Sequence, residues 1–289
     1  MTHYVVYDVF TDQPFGGNQL AVFPDATAIP ESDLQSIARE FNFSEVTFVY
    51  PPDNKTHTAK IRIFTPTSEI KFAGHPIIGT AIALADKGAV GPFTFELGIG
   101  PLVCCVDGKD AMFTTTAPLE RLAEPDVALV AQVLNLQPSD IAITTHAPIQ
   151  ASLGLPFVLV EVTDRAVLSK ASPDTATMRK AAALYPAGLD FATFVYCRTD
   201  NHIDARMFAP LDNIPEDPAT GSASATLAAL LHEVLGTPVD LSIHQGDDMG
   251  RPSRIAAKTL AGDQLSVQIS GSAVQTMSGQ LTYAKGGPT

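Results

Sequence analysis

Pro215-Glu216-Asp217-Pro218-Ala219-Thr220-Gly221-Ser222-Ala223-Ser224, followed by an Ala/Leu-rich run through Leu235, is the stretch on which the fold turns. Proline disfavours helix in the residue before it, so Asp217 is expected to be extended and outside the helix. Thr220, Gly221 and Ser222 suit a tight turn or cap, which leaves free backbone N–H groups at the helix mouth. Such a mouth attracts anions, because the N–H groups and the macrodipole point the same way. The run itself spreads Ala223, Ala225, Leu227, Ala228, Leu230, Leu231, Val234 and Leu235 over nearly every face. A helix apolar all round is a buried one. The expectation is a buried helix whose polar N-terminus opens toward a small acidic ligand.

Working outward, the same order of elements occurs earlier. Arg62-Ile63-Phe64-Thr65-Pro66 precedes Gly74-His75 and an apolar run over 76–86, as Arg206-Met207-Phe208-Ala209-Pro210 precedes Gly221-Ser222. Both halves read strand, proline loop, glycine turn, apolar helix. The remaining periodicity predicts strands over 3–10, 19–23, 44–49, 60–65, 93–97, 102–106, 111–115, 157–162, 191–197, 204–208, 241–244, 254–260 and 265–269, with further helices over 30–41, 126–134 and 175–183. The simplest architecture is α/β (α+β): two pseudo-symmetric domains, each a barrel-like sheet wrapped around one central buried helix. The two helix mouths then face one interdomain cleft. The polar, proline-bounded segment 118–125 is the expected boundary. It separates an N-terminal domain over 1–118, completed by about 270–289, from a C-terminal domain over 119–269.

At 289 residues, 45% apolar and 17% charged, the chain has the composition of a globular protein with a sizeable core. A formal net charge of -13 argues against nucleic acid or an anionic membrane as partner. The N-terminus lacks the basic and apolar regions of a signal peptide, and no stretch approaches a membrane span. Three cysteines (Cys104, Cys105, Cys197) make no disulfide framework, so a cytoplasmic location is expected. Phosphate-loop, dinucleotide, nucleophile-elbow and zincin motifs are missing. The seven histidines lie far apart and the cysteines lack Cys-x-x-Cys spacing, so no metal site is expected.

The polar residues at the edges of apolar elements are individually ordinary. Glu45 at the head of a strand reads alone as a solvated carboxylate. His75 reads equally as a cap or structural hydrogen-bond donor and as a catalyst, Ser222 as a cap, Asp217 as an acid that complements a helix dipole, and Arg62 and Arg206 as surface charges. These residues alone support a two-domain small-molecule enzyme of unstated mechanism.

Their combination carries more. Asp8-Val9-Phe10-Thr11 with Phe15-Gly16-Gly17-Asn18, then Ser44-Glu45-Val46-Thr47-Phe48, Phe72-Ala73-Gly74-His75-Pro76 and Glu216-Asp217-Pro218-Ala219-Thr220-Gly221-Ser222-Ala223 resemble, in order, the motifs of the PhzF family. The resemblance runs from about residue 4 to the Gly271-Ser272-Ala273-Val274 stretch. It implies the diaminopimelate-epimerase-like fold, a homodimer, and isomerisation of trans-2,3-dihydro-3-hydroxyanthranilate by proton movement without a cofactor. By the resemblance, Glu45 is the acid/base, while His75, Asp217 and Ser222 orient the substrate and assist proton movement. Gly74, Gly221, Ala223 and Asn18 are implied to bind a small carboxylic acid. Racemases of this fold carry a cysteine before each helix-mouth glycine, where this chain has Ala73 and Thr220. Gln19 and Ile77 depart from the residues common in the family, which bears on the substrate. The alternatives are an amino- or hydroxy-acid racemase or epimerase with non-thiol bases, and a non-catalytic small-acid-binding protein.

Overall fold

The computed structural model describes residues 2–260, 262 and 264–282. The N-terminal half runs β1 (Thr2–Val9), β2 (Asn18–Phe23), α1 (Leu34–Phe41), β3 (Glu45–Tyr50), β4 (Ala59–Phe64), β5 (Glu69–Ile70), α2 (Gly74–Asp86), β6 (Phe93–Leu97), β7 (Gly100–Asp107) and β8 (Asp110–Thr115). The C-terminal half runs β9 (Glu120–Ala123), α3 (Val127–Val133), β10 (Ile149–Ser152), β11 (Pro156–Glu161), α4 (Arg165–Lys170) and α5 (Thr175–Leu184). It continues with β12 (Thr193–Thr199), β13 (His202–Ala209), β14 (Ile214–Asp217), α6 (Gly221–Leu235), β15 (Asp240–Gln245), β16 (Ser253–Leu260) and β17 (Ser266–Leu281).

Strand alternation decides which side chains enter each half. In β4, Ala59, Ile61 and Ile63 are buried while Lys60 and Arg62 point outward, as a period of two requires. Pairings in the order β1-β17-β8-β7-β6-β4-β3-β2 and back to β1 close a barrel. Inside it lies α2, with Ile77, Ile78, Ala81 and Ile82 essentially inaccessible to solvent. Gly79 lets the helix approach the wall: a Cβ there would lie 2.6 Å from Leu20 and 2.7 Å from Val9. The second half repeats the plan around α6 with the order β9-β10-β11-β12-β13-β15-β16-β17, among the described residues left open between β9 and β17. Here the helix is buried only through Leu231. Val234 and Leu235, expected on a buried face, are exposed in its last turn.

A single long strand joins the halves. Residues 266–270 of β17 pair with β16, residues 267–272 pair with β8, and residues 273–281 pair with β1. The expected completing segment 270–289 lies within the described residues only as far as Thr282. Residues 118–125, read as a polar connection, contain β9, which pairs with β10. Neither strand was foreseen. All four residues of β10 are buried, so it has no alternation to detect, and two of them are polar, Gln150 and Ser152. Phe191 takes a left-handed backbone (φ 61°), so the strand expected from 191 begins at Thr193. The remaining helices cover outer faces: α1 over Phe23 and Phe48, and α3, α4 and α5 over the outer residues of β11 and β12, among them Val158, Val160 and Val195. Among the described residues, no helix is long and apolar enough to cross a membrane.

Candidate active site

The two apolar helices meet mouth to mouth. A Cβ on Gly74 would lie 3.2 Å from the Cα of Gly221, and one on Gly221 would lie 3.5 Å from the Cα of Gly74. Glycine at both first positions is what lets two positive helix ends approach this closely. Neither helix has a side-chain cap, so the first N–H groups of both remain available to a ligand. Ser222 is therefore not the cap that its position suggested. It is half-buried and lines the cleft. Asp217 ends β14 and is extended ahead of Pro218, as the proline requires.

The cleft between the mouths holds about 200 Å³. Its polar lining includes Glu45, His75, Asp217, Thr220, Ser222 and Asp212, and its apolar walls include Ile70, Leu155, Phe157 and Met207. A wider surface groove of about 860 Å³ runs beside α1 and the end of β17. It contains no buried titratable group, so the chemistry concentrates in the smaller cleft.

Glu45 heads β3, where the parallel register with β2 places it beside Leu20. It is not the solvated carboxylate that its position alone suggested, since its side chain is only 13% exposed. Its Oε2 has no hydrogen-bond partner and lies 3.4 Å from His75 Nε2, which also has none. Burial, reinforced by the charge of Asp217, pushes the Glu45 carboxyl well above the ordinary value. Burial pushes His75 down to about 3, so its ring is neutral. The ring also bonds to the Gln19 backbone. Because Nε2 is unpartnered, Nδ1 is the nitrogen left for that carbonyl, and Nε2 is a bare acceptor facing Glu45.

Asp217 is buried more deeply and differently supplied. Its Oδ1 accepts from Asn18 Nδ2 and Ser44 Oγ, both at 2.8 Å, and its Oδ2 accepts from Thr220 Oγ1 at 2.6 Å. Burial raises its acid while these three donors lower it. Two carboxyls this close do not both ionise cheaply. Asp217 has three donors and Glu45 has none, so the negative charge rests on Asp217 and the proton on Glu45.

Some of these partners were not anticipated. Gln245 at the end of β15 donates from Nε2 to the Asp217 carbonyl and Thr220 Oγ1, while its Oε1 accepts from the Thr220 N–H. No local motif marks it, because its role arises from the β13–β15 pairing. Ser44 stood beside Glu45 in a quoted motif without a role. Asp212 lines the cleft with Oδ2 buried and unpartnered, its acid raised by burial and by Asp190. Asn18 and Ala223 do not line the cleft. Asn18 lies behind Asp217, also donating to the Ala219 carbonyl, and Ala223 is wholly in the core. Arg62 and Arg206 are not free surface charges, since each forks onto a glutamate, Glu69 and Glu216 respectively.

Residues 7–279 match the PhzC-PhzF family, described as phenazine biosynthesis-like proteins. An uncharacterised isomerase of Mesorhizobium japonicum is 40% identical over 298 residues, covering 96% of this chain and 98% of the relative. A trans-2,3-dihydro-3-hydroxyanthranilate isomerase of Pseudomonas aeruginosa is 36% identical over 287 residues, covering 94% and 96%. The crystal structure of a Bacillus anthracis phenazine biosynthesis protein of the PhzF family superposes with a TM-score of 0.86 at 23% identity, covering 98% of this chain and 99% of that one.

Proposed function

The chain belongs to the PhzC-PhzF family of phenazine biosynthesis-like proteins, and from that premise we propose that it is an isomerase moving a proton on a small unsaturated ring acid with Glu45 as the acid/base. The observation that carries this reading is the buried, unpartnered Oε2 of Glu45, 3.4 Å from a neutral His75 in a cleft between two uncapped helix mouths. A carboxyl raised toward neutrality is a stronger base when ionised and remains a competent acid once protonated. Once it has given its resting proton to solvent, it can take a proton from one carbon and return it to another. His75 Nε2 accepts from the protonated form and holds the proton over the substrate between the two transfers.

The substrate carboxylate is placed at the mouths of α2 and α6, where Gly74, Gly221 and Ser222 line the cleft and the first N–H groups have no side-chain cap. The same donors stabilise the negative charge that develops when a proton leaves a carbon next to an unsaturated system, and losing one such donor typically costs about 10²–10³-fold in rate. Asp217 has both oxygens committed to donors, so it positions the site and does not serve as a second base. The chain's own groups supply the whole of this proton transfer, so the reaction is assigned without a cofactor. The ring acid is proposed to be trans-2,3-dihydro-3-hydroxyanthranilate or a close relative, by analogy with the named Pseudomonas aeruginosa isomerase.

The test is incubation of the protein with trans-2,3-dihydro-3-hydroxyanthranilate and a panel of related ring acids in heavy water. Enzyme-dependent deuterium at a ring carbon, lost in Glu45→Gln, is the expected result. Binding without any hydrogen exchange would leave only a binding protein. Loss of chirality in an amino or hydroxy acid would transfer the reading to a racemase.

A further inference from the structure

Away from the cleft, on the outer face of the C-terminal sheet, three side chains with metal-ligating atoms converge. His202 and Asp204 lie two residues apart on β13 and so share a face, and β15 runs parallel with His244 beside Asp204. The inward neighbours Ile203, Ile243 and Gln245 are buried, which confirms that the three point outward. His202 Nε2 stands 3.3 Å from Asp204 Oδ2, and the rings of His202 and His244 meet edge to face at 4.3 Å. The ligating atoms of all three lie within 4.8 Å of one another.

We propose that His202, Asp204 and His244 form a binding site for a divalent transition-metal ion, with zinc as the foremost candidate. Two imidazoles and one carboxylate suit zinc and its neighbours in the first transition row, and an open position would be filled by water. Bonds of roughly 2.0–2.1 Å arranged tetrahedrally hold ligands about 3.4 Å apart. The His202–Asp204 pair already has that separation, so a side-chain rotation of His244 completes the set. The nearest cations are otherwise engaged: Arg165 lies 3.9 Å from Asp204 but forks onto Asp248, and Arg254 faces Asp247. The histidines are far apart in the chain and are joined only by the β13–β15 register, so no spacing motif reveals the site.

The ion would staple β13 to β15. Gln245, the residue after His244, holds the Asp217 backbone from the opposite face of the same strand. The ion therefore buttresses the strand behind the cleft and takes no part in proton transfer.

The test uses untagged full-length protein, stripped with a chelator and titrated calorimetrically with zinc, with the absorption of bound cobalt(II) as a second readout. One equivalent should bind with micromolar or tighter affinity, and saturation should raise the unfolding midpoint by a few degrees. His202→Ala and His244→Ala should each weaken binding at least tenfold, with unchanged circular dichroism and unchanged deuterium exchange in the metal-free protein. Failure to saturate at one equivalent would overturn the proposal. So would zinc affinity within twofold of wild type in the double variant, because the ion would then lie elsewhere. Neither outcome bears on the role of Glu45.

Discussion

In the N-terminal half, Arg62 on β4 forks onto Glu69 on β5 and lies over Phe64; in the C-terminal half, Arg206 on β13 forks onto Glu216 on β14 and lies over Phe208. Each glutamate precedes the glycine of its buried helix by the same number of residues, and the loop from arginine to glutamate is longer in the second half, so the two frames correspond on either side of that loop. Phe64 pairs with Val46 and Phe208 with Thr193, which makes Ala192 the counterpart of Glu45. The counterpart of Asp217 is Ile70, and that of Thr220 is Ala73. The parallel pairings of β4 with β6 and of β13 with β15 make Leu97 the counterpart of Gln245. The frame is thus symmetric and the chemistry is not. One half supplies the carboxyl with the unpartnered Oε2, Glu45, and the other supplies Asp217, whose donors are Thr220 from its own half and Asn18 and Ser44 reaching across from the first. Racemisation needs a base on each face of the substrate, whereas moving a proton along one face needs only one.

Removing the carrier should have the largest effect. Glu45→Gln keeps the shape and is expected to lower turnover by about 10²–10⁴-fold, the usual worth of a positioned general base, while the ring acid still binds. Adding Ala192→Glu to that variant moves a carboxyl to the matching place in the other half. Deuterium incorporation should not return. If it does return, the two halves are chemically interchangeable and the single-base reading fails.

The twin arginines give the next contrast. Arg206 is 12% exposed, faces a 16% exposed Glu216, and also donates to the carbonyls of Leu168, Ser169 and Ala171. Arg62 is 21% exposed and pairs with Glu69 and with Glu31, which is 75% exposed. Arg206→Met strands a buried carboxylate and should cost about 3 kcal/mol or more. Arg62→Met, among largely solvated partners, should cost about 1 kcal/mol or less. Denaturant unfolding of both variants checks this, and equal losses would show that the two pairs are not differently buried.

Much of the fold was legible because its signals are local. The two glycine mouths, the all-apolar helices and the Arg-x-Phe-x-Pro echo each lie within one short segment. β9 and β10 were not legible, since a fully buried four-residue strand leaves no period and a polar segment looks like a connection until its partner is known. The site divides in the same way. Glu45, His75, Asp217 and Ser222 were marked by the resemblance, and the structure brings them to one cleft. Gln245 and Asp212 act through pairings and turns made by distant chain, and no window of sequence contains both a residue and its reason. Ala223 was caught inside a motif although its side chain faces the core.

The smallest effect lies in the pH dependence, where the two unlike carboxyls are read against each other. Glu45 must be ionised to accept a proton, so kcat/KM should fall as pH drops through its raised value, well above the ordinary 4.5. In Asp217→Asn the burial of Glu45 remains but the neighbouring charge is gone, so the acid limb should move to lower pH, by about one unit or less. An unmoved limb would mean that the halves are not electrostatically joined. Stability gives an independent sign. The folded state holds a proton on Glu45 that the unfolded chain releases, so this stabilisation is full below the ordinary carboxylate range and is lost as pH rises through the raised value. Glu45→Gln has no charge to bury. Its unfolding midpoint should therefore gain on wild type as pH rises across that window, and profiles that stay parallel would show that Glu45 is not held in a desolvated site.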